Sequence, residues 1–270
     1  MPRIRNALVT GASAGIGREL VRQLVLDRGC HILATARRLD RLEELARELP
    51  EGQVRVLAGD LADADFRATL WDHAEAMPGG CDLLINNAAF GHYAEFAEED
   101  PATIDRMIAV NVMAVLDLTR RAIGPMKARG SGQVCQISST LGFVGLPYSA
   151  TYVATKHAIN GLVKSLRDEL QGTGVRVWAA CPNRTASEFH GVALDRAGDA
   201  PSIRSAYADP TDRVARGILR GIDSRRTFIY PSFSAWLVPF VAWALPWPYE
   251  WFMGRWAPRH FREEMERGRS

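Results

Sequence analysis

The chain is poor in cysteine: Cys30, Cys81, Cys135 and Cys181 are its only four, with no CxxC pair and no histidine close by. That spacing excludes a zinc site and a disulfide framework, and the four read as small buried hydrophobes in a reducing compartment. An excess of one charge is also missing. The 33 Lys and Arg nearly balance the 31 Asp and Glu, for a formal net charge of +2, so no basic field points to a nucleic-acid partner. Internal repeats, long charge runs and low-complexity linkers are absent too. The opening MPRIRNALVTGAS has too short an apolar run for a signal peptide, and a cytoplasmic protein is expected. What remains is 270 residues, 47% apolar and 24% charged, an ordinary globular chain long enough for one large or two small domains. Tryptophan stands out. Five of the seven, Trp236, Trp243, Trp247, Trp251 and Trp256, fall in one short C-terminal stretch.

Short aliphatic runs alternate with longer helical patterns, which predicts repeated βα units and a parallel sheet. The strand candidates are 7–9, 31–35, 54–57, 83–85, 134–137 and 175–178. Between them, Leu39, Leu42, Leu45 and Leu49 recur at helical spacing, as do Ile159, Leu162, Val163, Leu166 and Leu170. Six strands with interleaved helices fit one doubly wound α/β sheet better than two domains. Two segments break the rhythm. Residues 182–210, with Pro182, Asn183, Gly191, Gly198, Pro201 and Pro210, predict a long functional loop with short helices. The other is the aromatic stretch after Pro231.

Thr10-Gly11-Ala12-Ser13-Ala14-Gly15-Ile16-Gly17 follows the first strand and opens a helix. Glycines there allow a tight turn and close backbone approach to a pyrophosphate seated on free N–H groups, although a helix cap alone would use a similar turn. The second strand ends Ala36-Arg37-Arg38, where an NAD site would place Asp or Glu for the ribose hydroxyls. Guanidinium forks suit a 2′-phosphate instead, so NADP(H) is expected, with Arg37 as the main contact; Arg38 either shares that role or is a solvated helix start. Asp60, followed by Leu61 after the third strand, either accepts from an adenine amine or caps a helix. Asn86-Asn87-Ala88-Ala89 closes the fourth strand on the expected cofactor side.

Tyr152 and Lys156 sit at i and i+4, which places phenol and ammonium on one helix face. An unperturbed phenol titrates near pH ~10; a nearby cation favours phenolate and draws it toward proton exchange with an alcohol or carbonyl. Ser139, thirteen residues upstream at the end of the fifth strand, could hold the substrate oxygen. Asn111 falls among apolar helical residues, where its amide needs a partner or a water; it is either part of a proton path from Lys156 or a packed, capping side chain.

These residues together resemble the short-chain dehydrogenase/reductase family in its single-domain form. The resemblance covers about residues 4–231 through TGxxxGIG, the Asp60 turn, NNA, Asn111, Ser139 and YxxxK in order. It implies a Rossmann-type sheet of seven strands, the seventh at 227–230, with helices on both faces. It also implies that Tyr152 is the acid/base, that Lys156 binds the nicotinamide ribose and lowers the Tyr pKa, that Ser139 orients the carbonyl and that Asn111 supports the relay. The cofactor contacts would come from Gly11, Ser13, Gly15, Ile16, Gly17, Arg37, Arg38, Asp60, Leu61 and Asn87 together with Tyr152 and Lys156, with no metal required. Two departures stand out: NNAG becomes Asn86-Asn87-Ala88-Ala89, and the Pro-Gly motif after the sixth strand becomes Pro182-Asn183-Arg184-Thr185-Ala186-Ser187. Asn183 tolerates a left-handed backbone, and either Ser187 or Thr185 would bond the nicotinamide amide.

The domain plan is therefore a catalytic NADP(H)-binding domain over 1–231, with loop 182–210 over the site, and an aromatic extension over 232–270. The expected activity is hydride transfer interconverting a hydrophobic ketone or aldehyde and its alcohol. A reductase of carrier- or CoA-bound β-ketoacyl groups is the rival enzyme, and a non-catalytic NADP-binding regulator or scaffold the rival from another class. A homodimer or homotetramer follows from the resemblance. No charged residue lies between Arg226 and Glu250, yet Pro239, Pro246 and Pro248 argue against a membrane span. The extension either docks at a membrane surface through 232–258 with Arg255, Arg259 and Arg262 facing headgroups, lines a lipophilic substrate pocket, joins an oligomer contact, or packs on the sheet edge.

Overall fold

A computed structural model of the protein describes residues 4–185 and 208–256. Residues 186–207, which carry Ser187 and most of the 182–210 loop, lie outside them, as do Arg259 and Arg262. The seven strands are β1 (Asn6–Thr10), β2 (His31–Ala36), β3 (Val54–Ala58), β4 (Leu83–Asn86), β5 (Gly132–Ile137), β6 (Val175–Ala180) and β7 (Phe228–Ile229). They form one sheet in the order β3-β2-β1-β4-β5-β6-β7, and every neighbouring pair is parallel. This is the doubly wound, Rossmann-type sheet that the repeated βα pattern predicts, and its strand order reverses between β1 and β4.

The helices are α1 (Gly15–Arg28), α2 (Leu39–Arg47), α3 (Ala64–Glu75), α4 (Pro101–Ile108), α5 (Ala114–Arg129), α6 (Ala150–Glu169), α7 (Thr211–Leu219) and α8 (Phe233–Ala244). A single π-turn, Ala109–Met113, joins α4 to α5. They cover both faces, which is why the strands read as unbroken apolar runs rather than alternating ones. Successive side chains take opposite sides of the sheet. Ala7, Val9, Leu83, Ile85 and Trp178 face the core under α1, α2 and α7, while Leu8, Leu84, Val134 and Val177 face the core under α3, α5 and α6. All four cysteines are buried thiols outside any disulfide.

Helix boundaries follow from local chemistry. Asp100 caps α4 by accepting from the Ala102 and Thr103 N–H groups, with Pro101 in the first turn. Gly29 ends α1 in the left-handed conformation (φ 64°). The seventh strand is shorter than 227–230: only Phe228 and Ile229 pair, although the Thr227 carbonyl still accepts from Ala179. Beyond Pro231, Ser232 caps α8 through the Ala235 N–H, and residues 246–256 are helical again. Among the described residues, no helix is long and apolar enough to cross a membrane.

Candidate active site

Along the carboxyl ends of the strands runs one cavity of about 660 Å³. Its first third is the β1–α1 turn, where Gly11 (φ 67°) and Gly15 (φ 55°) adopt the left-handed conformation that side chains resist. Ala14 stands at the α1 N-cap and has no side-chain oxygen to offer, so the first N–H groups of that helix face the cavity without a capping partner. Ser13, Gly15 and Ile16 line the space. Gly17 does not. A Cβ there would lie 2.3 Å from the Gly11 carbonyl oxygen and 2.4 Å from Asn87 Nδ2, so its glycine is required by packing of helix on turn. Asn87 ties the switch point together: Nδ2 donates to the Thr10 carbonyl at 2.9 Å and to the Gly11 carbonyl at 3.2 Å.

The next third lies beyond β2 and β3. Arg37 is exposed and lines the cavity. Arg38 is half-buried beside it and reaches Ser13 Oγ at 3.4 Å, so it is more than a solvated helix start. Asp60 is not the α3 cap; Asp63 is. Instead Asp60 accepts from the Ala62 N–H at 2.9 Å and from Arg106 Nη2 at 2.6 Å. Burial pushes its carboxyl up, but Ala62 and Arg106 outweigh that and hold it below the ordinary Asp value. Leu61 borders the same wall. Arg106, on α4, escapes sequence reasoning because nothing in its helical context marks a residue 46 positions away as its partner.

The last third holds Ser139, Tyr152 and Lys156. Ser139 follows β5, where its Oγ accepts from the Leu141 N–H at 3.1 Å and is hydrogen-bonded to the Tyr152 phenol. Lys156, one turn along α6, is only 3% exposed; its Nζ donates to the Ile137 carbonyl at 2.8 Å and lies 5.5 Å from the Tyr152 ring centre. The expected downward pull of this ammonium on the phenol is not the outcome. Burial raises the Tyr152 phenol well above its ordinary value, Tyr93 adds to the rise, and the Ser139 bond opposes it. Burial also lowers Lys156 from 10.5 to about 8, with Cys181 opposing. Removal from water penalises each charged form, so the phenol holds its proton at neutral pH.

Asn111 sits in the π-turn and does not border the cavity. Its Oδ1 accepts from the Phe90 N–H at 3.1 Å, while Nδ2 donates to the Phe90 carbonyl at 2.8 Å and to Thr155 Oγ1 at 3.3 Å. Those contacts leave its amide fastening the segment after β4 to α6. Asn160, which no motif singled out, supports Ser139 from behind: it accepts from Ser138 Oγ at 2.7 Å and donates to the Gly142 carbonyl at 2.8 Å. The two motif departures resolve differently. Ala89 needs no left-handed backbone, and Asn183 does not adopt one. The chain past Asn183 bends at Arg184, and Thr185 then bridges to Asp209. Thr185 and Arg184 line the cavity, and Val238, Tyr249, Phe252, Met253 and Trp256 close its far side. Part of the aromatic extension therefore faces the cavity, while Trp243 (79% exposed) and Trp247 (84% exposed) point outward.

The short chain dehydrogenase family profile matches residues 5–196. Nodulation protein G of Rhizobium sp. (strain N33) is 33% identical over 214 residues, covering 79% of this chain and 85% of that protein. Ketoacyl reductase HetN of Nostoc sp. is 27% identical over 225 residues, 83% of this chain and 77% of its own. Among solved structures, a short-chain dehydrogenase from Sphingobium yanoikuyae in complex with NADPH superposes with a TM-score of 0.78 at 26% identity, covering 93% of this chain and 96% of that one. The chain belongs to the short-chain dehydrogenase/reductase family of oxidoreductases.

Proposed function

We propose that the protein is an NADP(H)-dependent oxidoreductase that interconverts hydrophobic ketones or aldehydes and their alcohols. The observation that carries this reading is one continuous cavity with Arg37 and Arg38 at one end and Tyr152 and Ser139 before an aromatic wall at the other. A nicotinamide dinucleotide fits the residues present: an uncapped helix start behind left-handed glycines suits a pyrophosphate, and two guanidinium groups at the β2 end suit a 2′-phosphate. NADPH in the Sphingobium relative points the same way. When bound, the nicotinamide supplies or accepts the hydride.

The chain's own residues handle the oxygen and its proton. Ser139 Oγ, held by the Leu141 N–H, and the Tyr152 phenol converge on the position a carbonyl oxygen would take. In reduction the phenol, protonated at neutral pH, donates its proton to that oxygen. The phenolate left behind is stabilised by the Lys156 ammonium, which the Ile137 carbonyl holds in place. Oxidation runs the same proton backward. Asn111 acts through position, fixing Phe90 on one side of the cavity and α6 on the other.

Tyr152→Phe tests the reading. Turnover of NADPH with a panel of carbonyl compounds falls by roughly two to four orders of magnitude, the usual worth of a positioned acid, while NADPH still binds. Undiminished turnover overturns the assignment. A β-ketoacyl thioester as substrate is the second reading, supported by the resemblance to ketoacyl reductase HetN; exclusive activity on carrier- or CoA-linked members of the panel would favour it.

A further inference from the structure

Arg184 occupies the departure from the Pro-Gly motif, and the chemistry described so far does not use it. It follows β6 and lines the cavity. Its main chain is fixed, because the Arg184 carbonyl accepts from the Asp209 N–H at 2.9 Å. Its neighbours are fixed as well: the Pro182 carbonyl accepts from the Thr140 N–H at 3.0 Å, and Thr140 Oγ1 meets Asn183 Oδ1 at 3.4 Å. Arg184 thus leaves a segment fastened directly beside Ser139.

The guanidinium is unlike those of Arg38 and Arg106, which are paired, and that of Arg37, which is exposed. Arg38 reaches Ser13 and Arg106 pairs with Asp60, whereas Arg184 Nη2 is buried with no hydrogen-bond partner among the described residues. An unpaired buried donor on a permanent cation is costly, so such a group marks a place for an acceptor. The protein wall does not provide one. Asp60 is the sole carboxylate among the described lining residues, and it belongs to the adenosine end. The cofactor pyrophosphate is also badly placed. Its cradle is at β1, three strand spacings from β6 through β4 and β5, a separation of about 14 Å.

We infer that Arg184 receives an oxyanion carried by the substrate, so that the preferred substrates are oxo acids, or the matching hydroxy acids, with an apolar body. A planar guanidinium matches a carboxylate in paired hydrogen bonds. The apolar body lies against Val144, Leu146, Tyr249 and Phe252, which share the cavity with Ser139 and Tyr152. This rests on the proposed carbonyl chemistry and adds the charge of the substrate to it. Arg184 is a specificity residue, acting on which carbonyl is held and not on the proton transfer.

The test uses the full chain with NADPH and three phenyl oxo acids, phenylglyoxylate, 3-benzoylpropionate and 5-oxo-5-phenylpentanoate, each beside its methyl ester. For at least one length, the wild-type kcat/KM for the acid exceeds that for the ester by roughly tenfold to hundredfold, the range for a charge-assisted pair. Arg184→Gln collapses that ratio toward one, mainly through KM, and Arg184→Lys restores part of it. In parallel, calorimetry measures 4-phenylbutanoate binding to the protein–NADP+ complex; it is lost in Arg184→Gln. A ratio that is the same in Arg184→Gln and wild type overturns the inference, as does an NADPH Kd that rises by the same factor as the acid's KM. If the wild type reduces none of the carbonyls, the activity assignment fails, while 4-phenylbutanoate binding still decides the role of Arg184.

Discussion

Lys156→Met separates the energetic cost of the active-site ammonium from its use. In the folded protein Lys156 titrates near 8 against 10.5 when unfolded. Between those values the unfolded chain binds more protons, so the lysine's contribution to stability is unfavourable at neutral pH and the wild type gains stability as pH rises from 8 to 10.5. That lowering corresponds to about 3 kcal/mol of destabilisation at pH 7, falling well below about 1 kcal/mol at pH 10.5. Methionine fills the same space without the charge, but it leaves the Ile137 carbonyl without its 2.8 Å donor, a loss of about 1 kcal/mol. The cofactor-free variant is therefore more stable than wild type by about 2 kcal/mol at pH 7, or about 4–8 °C in Tm for a domain of this size. Above pH 10 the order reverses, because only the lost hydrogen bond remains. Thermal and urea unfolding followed by circular dichroism at several pH values from 7 to 10.5 measures the difference directly. A wild-type-minus-variant difference that stays constant across that range would refute the burial account of Lys156.

Two further substitutions address the ends of the cavity. Arg37→Ala raises the Kd for NADPH by roughly tenfold to hundredfold, as expected for losing charge-assisted contacts to a phosphate, and leaves that for NADH within a few-fold; equal effects on both nucleotides would remove Arg37 from the 2′-phosphate site. Asn160→Ala strands both the Ser138 hydroxyl and the Gly142 carbonyl, costing about 2–4 kcal/mol and about 5–15 °C in Tm. It also lowers kcat more than it raises KM for NADPH, because Ser139 loses its backing; an unchanged melting temperature would show that the pair contributes nothing.

The sheet was legible because its strands are buried on both faces, and runs such as Leu83-Leu84-Ile85 carry that signal without help from distant residues. The glycine turn and the Tyr152–Lys156 spacing were legible for the same reason, since each is local. Partners brought together by the sheet were not. Asp60 reads as a cap or a ligand contact until α4 places Arg106 2.6 Å from it. Asn111 reads either as part of a proton path or as a packed side chain, and spacing says nothing of Phe90 and Thr155, which its amide holds. The sign of the Tyr152 shift also lay beyond sequence, because i,i+4 spacing supplies a neighbouring charge but says nothing about how far the phenol is removed from water. The aromatic stretch offered four roles, and only the fold reveals that Tyr249, Phe252 and Trp256 turn toward the cavity.

Asp209 bears on how such an enzyme could be rebuilt. Its backbone joins Thr185 and the Arg184 carbonyl at the neck of the loop, while its carboxylate accepts from Ser232 Oγ at 2.7 Å and Ser234 Oγ at 3.2 Å at the start of α8. Two walls of the cavity, separate in sequence, thus hang from one residue. A C-terminal segment exchanged between relatives to alter substrate range would have to bring along an anchor at this position, and a chain cut before Ser232 would leave the Asp209 carboxylate without its two hydroxyl donors as it removed the aromatic wall. The unit of exchange is the pair.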